Sequence, residues 1–93
     1  MKIYLNRPKE TWVVDRFVEE WLYYNKALTT KNILSSDIIW ITSPWTWKKL
    51  NKKILKRKVV LCTVHHIDEE KFDSKARENF QELDQYVDYY HTI

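Results

Sequence analysis

Four segments of the chain have the apolar, β-branched composition of buried strands, and the segments between them change to a helical period. We expect strands at residues 2–6, 37–42, 59–64 and 85–93. The two middle segments are apolar without alternation, which is typical of parallel strands buried on both faces. The other two segments complete a predicted sheet of four strands.

Three helices are predicted between these strands. Apolar side chains recur at helical spacing over residues 11–25 and over residues 73–84, so each segment has one apolar face for the sheet. Between them, Ser43-Pro44 has the sequence of a helix start, with serine as the N-cap and proline in the first turn. We therefore expect the second helix over residues 45–56.

The order of these elements, β-α-β-α-β-α-β, predicts an α/β fold. We expect a small Rossmann-like domain of three layers, with a four-stranded parallel sheet between helices. The 93 residues suit a single domain over residues 1–93. Because a doubly wound domain normally continues with another helix after such a strand, we expect this domain to be the amino-terminal part of a larger fold or a minimal relic of one.

Composition excludes several kinds of site. The chain has no glycine, so a Gly-rich phosphate loop of the dinucleotide or nucleoside-triphosphate type is excluded, and we expect no cofactor. Cys62 is the single cysteine, and its apolar surroundings predict a buried, reduced thiol in a cytoplasmic protein. No segment approaches the roughly 18 apolar residues of a membrane span.

Charge is distributed unevenly along the chain. Residues 1–58 have 13 basic and 5 acidic side chains, whereas residues 59–93 have 3 and 8. The predicted second helix carries the lysines Lys48, Lys49, Lys52, Lys53 and Lys56. Such a surface predicts an anionic partner, and the neighbouring tryptophans favour an anionic membrane over nucleic acid. The simpler alternative is a solvated lysine face without a partner.

His65 and His66 follow the third predicted strand directly. In parallel α/β sheets, ligands bind beyond the carboxyl ends of the strands, and a neutral imidazole suits general-base catalysis near pH 7. Strand geometry sends the two side chains to opposite sides, so we expect one of them at the crevice. The alternative is a pair of loop histidines with no chemical role. Together with Cys62 and His91 they make only half of a zinc site, so no metal is expected.

The end of the second strand supplies another candidate site. A helix that begins at Ser43 presents free N–H groups to an anion or a sugar hydroxyl. Trp45 is placed to stack on a sugar ring, or alternatively to cover the core, whereas Trp47 is expected inside the core. Ser43 and Trp45 are therefore candidate substrate-binding residues.

Four short motifs carry a family resemblance. They are residues 36–40 (SDIIW), 44–45 (PW), 58–67 (KVVLCTVHHI) and 86–88 (YVD). Together they resemble the amino-terminal domain of group 1 (family 4-type) GT-B glycosyltransferases. The resemblance covers residues 36–93 by motif and residues 1–35 by element order.

The resemblance implies an enzyme that moves a sugar from a nucleotide-sugar donor to a glycan or lipid-linked acceptor, with the acceptor held by this domain. His65 matches the strand-end histidine of the family and is the implied catalytic residue, whereas His66 stands where the family has aspartate and is a candidate substrate-binding residue. Asn6 and Arg7 replace the family's Gly-rich loop and are implied substrate-binding residues. Without a carboxyl-terminal domain, the chain is not expected to turn over.

Two further expectations concern partners. A peripheral position at the inner face of the membrane follows from the lysines, and a homodimer would supply elements that the small sheet lacks. The competing function is a non-enzymatic α/β module that docks nucleic acid or an acidic protein through its basic helix.

Overall fold

Four parallel strands form one sheet, in the order in which they occur along the chain. The structure, a computed structural model, describes residues 1–6, 12–64 and 73–92. The elements are β1 (Ile3–Asn6), α1 (Trp12–Asn25), β2 (Ile38–Ile41), α2 (Lys52–Arg57), β3 (Val59–Val64), α3 (Ser74–Asp84) and β4 (Tyr89–Thr92). Two short 3₁₀ turns, Lys26–Leu28 and Ile33–Ser35, lie between α1 and β2. The predicted α/β class and parallel sheet are confirmed.

One face of the sheet carries the main hydrophobic core. Ile39 lies beside Val60, and Ile41 lies beside Cys62, and all four side chains are fully buried. Alternation along the strands places them on the same face. The residues that cover this face are Trp47, Leu55 of α2 and Leu83 of α3.

The opposite face of the sheet is covered by α1. Trp40 of β2 points there, and its ring meets the Trp21 ring of α1 edge-on, with centroids 4.9 Å apart. The Trp40 indole N–H donates to the Thr63 hydroxyl of β3 at 2.8 Å, which satisfies a buried donor. Helices therefore lie on both faces, as the three-layer prediction requires.

The chain passes along the outer edge of β1 before it enters β2. Thr29 forms an isolated parallel bridge with Ile3, and the Thr30 N–H donates to the Ile3 carbonyl at 3.0 Å. On its other side Ile3 pairs with Ile38. The chain thus moves outward from β1 through α1 and then returns across β1 to β2. The direction of winding reverses at β1, so a topological switch point lies between β1 and β2.

The predicted second helix is wrong in length and in its starting point. Residues 43–50 form two successive turns, closed by hydrogen bonds from Thr46 N–H to the Ser43 carbonyl and from Leu50 N–H to the Trp47 carbonyl. The helix begins only after Asn51, whose side chain accepts from the Lys53 N–H at 2.9 Å. Ser43-Pro44 therefore starts a turn, in which Pro44 takes the position that proline favours.

Charge repulsion disfavours a longer helix. A continuous helix over residues 45–56 would bring several lysines four residues apart on one face, which is destabilising for like charges. Asn51 offers an N-cap in the middle of that segment, so the shorter helix keeps a good start at lower electrostatic cost.

The fourth strand is shorter than predicted, because residues 85–88 continue the end of α3. The Tyr86 N–H donates to the Leu83 carbonyl at 2.9 Å. Asp88 then joins this turn to the sheet, since its carboxylate accepts from the Val60 N–H at 2.8 Å.

The described backbone contains no residue with positive φ. This agrees with a sequence that has no glycine, because left-handed backbone is the conformation that most favours glycine. The helix ends and turns in these ranges therefore use extended or right-handed residues, such as Lys58 after α2 and Gln85 after α3.

Burial makes the Cys62 thiol unreactive, and we expect it to react with a thiol reagent only after unfolding at neutral pH. Desolvation raises the pKa of Cys62 to about 12, from an ordinary 9.0, and the thiolate is the reactive form. The pKa of Cys62 is higher in the folded protein than in the unfolded chain. The neutral buried thiol therefore contributes its full share of the free energy of unfolding below pH 9.0, and this contribution is lost as the pH rises toward 12. Thiol titration with and without urea tests the first expectation.

Urea unfolding at pH values below and above 9.0 tests the expected loss of stability at high pH. Cys62→Ala is the control, since it removes this part of the pH dependence. Rapid labelling of the folded protein would contradict the burial of Cys62.

Candidate functional site at the carboxyl edge of the sheet

The carboxyl ends of the strands meet at one edge of the sheet. Ile41 lies beside Cys62, so the residues that follow β2 lie beside the end of β3 at Val64. His65 is the next residue after Val64 in the sequence. His65, His66 and Arg7 lie outside the described residues, and their roles stay predictions.

The switch point between β1 and β2 is closed by hydrogen bonds within the chain. The Asn6 side-chain amide donates to the Thr46 carbonyl at 3.0 Å, and the buried Thr42 hydroxyl donates to the Asn6 carbonyl at 2.7 Å. Ser43 is also buried, and its hydroxyl accepts from the Trp45 N–H at 3.4 Å. These groups hold the turn after β2, so the first role of Asn6 and Ser43 is structural; contact with a substrate stays a prediction for both.

A buried asparagine fixes this turn to α3. Asn79 accepts from the Trp47 indole N–H through Oδ1 and donates to the Pro44 carbonyl through Nδ2, both at 2.8 Å. Trp47 is fully buried, as predicted. The Asn79 interaction was missed in the sequence, although one signal was present: Asn79 lies between Ala76 and Leu83 on the inner face of the helix, where an amide needs a buried partner.

Trp45 stands at the rim of a depression between the turn and the start of α3. Its side chain is 45% exposed, and its ring lies edge-on to Phe80, with centroids 5.4 Å apart. The depression has a volume of about 360 Å³, and its lining residues are Trp45, Lys48, Asp73, Lys75, Ala76 and Asn79. We call it the Trp45 depression.

The Trp45 depression combines three kinds of binding group. An indole ring can stack on a sugar or a base, and the ammonium groups of Lys48 and Lys75 attract phosphate oxygens. Asp73 caps α3 by accepting from the Ala76 N–H at 2.9 Å. This set can bind a ring that carries hydroxyl and phosphate groups, and the carboxylate that lines the depression, Asp73, is already used as the N-cap of α3.

The predicted lysine surface is exposed at each of its five positions, Lys48, Lys49, Lys52, Lys53 and Lys56. It comprises the end of the turns and α2, instead of one long helix. No acidic residue occurs in residues 38–67. Lys58 is not counted in this surface, because its ammonium group donates hydrogen bonds to the carbonyls of Leu34 and Ser36 within the fold.

A second cavity, of about 400 Å³, lies on the outer side of β1. Its lining residues are Tyr4, Leu5, Asn6, Leu22, Thr29, Thr30 and Lys31. Asn6 thus borders this cavity while its amide N–H is held by Thr46. The Trp45 depression, in contrast, lies between the turn after β2 and the start of α3, at the carboxyl edge where the sequence predicts ligand binding.

No group of three or more metal-binding side chains occurs among residues 1–6, 12–64 and 73–92. His91 lies 3.2 Å from the Thr63 hydroxyl through Nδ1, so it extends the hydrogen bond that Trp40 makes. No helix in this part of the chain is long and apolar enough to cross a membrane.

Comparison of the chain with known proteins found no matching family model, no matching curated protein and no matching solved structure.

Removal of the Asn79 amide is expected to destabilise the fold. Asn79→Leu leaves the Trp47 indole N–H and the Pro44 carbonyl buried without a partner, which should lower the free energy of unfolding by about 2–3 kcal/mol. Urea unfolding, followed by tryptophan fluorescence, measures the change. Gln81→Leu is the matched control, because Gln81 is exposed on the same helix; equal losses in the two variants would contradict the assigned role of Asn79.

Proposed function

We propose that this chain is the acceptor-side domain of a GT-B-type glycosyltransferase. It would hold a glycan or lipid-linked acceptor while a sugar is moved from a nucleotide-sugar. The observation that carries the proposal is the Trp45 depression, in which a half-exposed indole lies beside two lysines at the carboxyl edge of a parallel sheet.

The fold supports the position of this site. Ligands of open α/β sheets bind outside the carboxyl ends of the strands, and the Trp45 depression lies at that end of β2 and β3, one strand beyond the switch point between β1 and β2. The turn after β2 supplies Trp45 and Lys48, and the start of α3 supplies Asp73 and Lys75. The acceptor would therefore be held between the segments that follow two adjacent strands.

Each group has a distinct part in this proposal. The Trp45 ring would stack on an acceptor sugar, and Lys48 and Lys75 would hold a phosphate or diphosphate of the acceptor. His65, which follows β3 in the sequence, would act as the base that accepts the proton of the attacking hydroxyl. A second domain would bring the nucleotide-sugar, so this chain by itself would bind the acceptor without turnover.

The exposed lysines support a cytoplasmic position at the inner face of the membrane. Each lysine near an anionic leaflet contributes about 1 kcal/mol of attraction. A lipid-linked acceptor would then reach the depression from the membrane to which Lys49, Lys52 and Lys53 are drawn.

A second candidate function rests on the same lysines. A stretch of 30 residues, 38–67, has no acidic side chain to offset them, which favours a non-enzymatic module that docks an anionic macromolecule. Nucleic acid binding of this kind weakens steeply with salt, whereas acceptor binding would lose with salt only its phosphate contacts to Lys48 and Lys75 and would keep the stacking on Trp45.

Loss of the Trp45 ring should weaken acceptor binding. With a short glycan diphosphate as the probe, we expect Trp45→Ala to raise the dissociation constant about tenfold, and Trp45→Phe to retain most of the affinity. Titration followed by NMR chemical shifts measures both. Tyr24→Ala is the matched control, because Tyr24 is an exposed aromatic residue on α1; unchanged affinity in Trp45→Ala would overturn the proposal.

The membrane position is tested by vesicle flotation. We expect binding to phosphatidylserine vesicles, and the combined variant Lys49→Gln, Lys52→Gln and Lys53→Gln should weaken it about a hundredfold. The same charge change at Lys2, Lys26 and Lys31 is the control, and it should have a smaller effect. Steeply salt-dependent binding to duplex DNA without vesicle binding would favour the second candidate function.

A further inference from the structure

The outer edge of β4 has no strand beside it within the described residues, and we propose that two copies of the chain pair there. In this dimer, β4 of one copy runs antiparallel to β4 of the other and makes a continuous sheet of eight strands, twice the four of one copy. The proposal is independent of the Trp45 depression and of any sugar ligand.

The hydrogen-bonding groups that face this edge can be identified. The Asp88 N–H donates to the Val60 carbonyl of β3 at 2.9 Å. Because backbone groups alternate in direction along a strand, Tyr90 and Thr92 also face β3, whereas Tyr89 and His91 face outward. Each copy therefore offers the N–H and C=O groups of Tyr89 and His91 to a partner.

These groups are self-complementary about a two-fold axis. If Tyr90 lies opposite the partner's Tyr90, then Tyr89 lies opposite the partner's His91, and each such pair exchanges both of its backbone hydrogen bonds. Tyr90 and its equivalent then form a close pair without hydrogen bonds. A symmetric interface in which the same residues serve both copies is the commonest form of dimer.

The two edges of the sheet differ in protection. At β1, the chain itself covers part of the edge, through the bridge between Thr29 and Ile3. At β4, all four residues are exposed, and the sequence Tyr89-Tyr90-His91-Thr92 has no lysine, proline or acidic residue. Charged residues and proline are the usual devices that keep an edge strand from pairing.

A depression beside β4 has room for an aromatic side chain of the second copy. It lies along α3 and β4, with a volume of about 360 Å³, and its lining residues are Arg77, Phe80, Gln81, Asp84 and Tyr90. The Tyr90 phenol already donates to the Asp84 carboxylate at 2.9 Å. The two-fold pairing brings the partner's Tyr90 next to this depression, so the second copy is the occupant that fits it.

The test begins with the oligomeric state of the whole 93-residue chain. Sedimentation over a range of protein concentrations should show a reversible dimer. Tyr89→Pro removes only an outward N–H and keeps the bonds to β3, so it should raise the dimer dissociation constant about tenfold or more. Tyr89→Lys, which adds a charge to the edge, is a second variant that does not constrain the backbone.

Cross-linking tests the register. Under oxidising conditions Tyr90→Cys should form a disulfide-linked dimer, because residue 90 faces its equivalent across the axis. Tyr24→Cys is the matched control at another exposed tyrosine, and the wild-type chain controls for Cys62, which is buried. Both controls should stay uncross-linked.

The outcomes separate the alternatives. A monomer at every concentration would overturn the proposal, as would a dimer that persists in Tyr89→Lys or that Tyr90→Cys does not cross-link, since the interface would then lie elsewhere. Failure of the dimer proposal can be distinguished from failure of the proposed acceptor site by titrating the monomeric variants with the glycan diphosphate. Their affinity for this probe should be unchanged, because Tyr89 does not line the Trp45 depression.

Discussion

The pairing of β2 with β3 determines where the other parts of the molecule lie. Ile39 and Ile41 share one face with Val60 and Cys62, and Trp40 occupies the other. Because the side-chain period of a strand is two, a shift of one residue would send the isoleucines to the face of α1 and Trp40 into the main core. The register therefore fixes which helices cover which face, and with them the direction in which the turn after β2 leaves the sheet.

The carboxyl edge depends on that turn, and the turn depends on buried polar contacts. Asn79 joins Trp47 and Pro44 to α3, and Thr42 joins the end of β2 to Asn6. These bonds are short, and the two of Asn79 are buried, so those two are strengthened by the low dielectric of the interior. Trp45 is consequently held on a rigid support although it lies in an irregular segment, as a binding residue requires.

The central strands and the core could be predicted from the sequence, because β2 and β3 are apolar except for Thr63 and Trp47 has the spacing of an inner residue. The turns of residues 43–50 could not, since Ser43-Pro44 is equally suited to a helix start and the turn is stabilised by Asn6 and Asn79, which are distant from it in sequence. The bridge between Thr29 and β1 could not be predicted, because a single paired residue leaves no recognisable pattern of apolar and polar positions in the sequence. At the Trp45 depression, the sequence indicates Trp45 as a candidate binding residue, but the nearness of Asp73 and Lys75 to it follows only from the fold.

The lack of glycine has a consequence for the unfolded chain. Every described residue adopts negative φ. None of these positions therefore requires a residue that also samples positive φ in the unfolded chain. Since glycine loses more backbone freedom on folding than any other residue, a chain without it starts from a narrower denatured ensemble. The entropy to be overcome is correspondingly smaller, which helps a sheet of four short strands to fold around so small an interior.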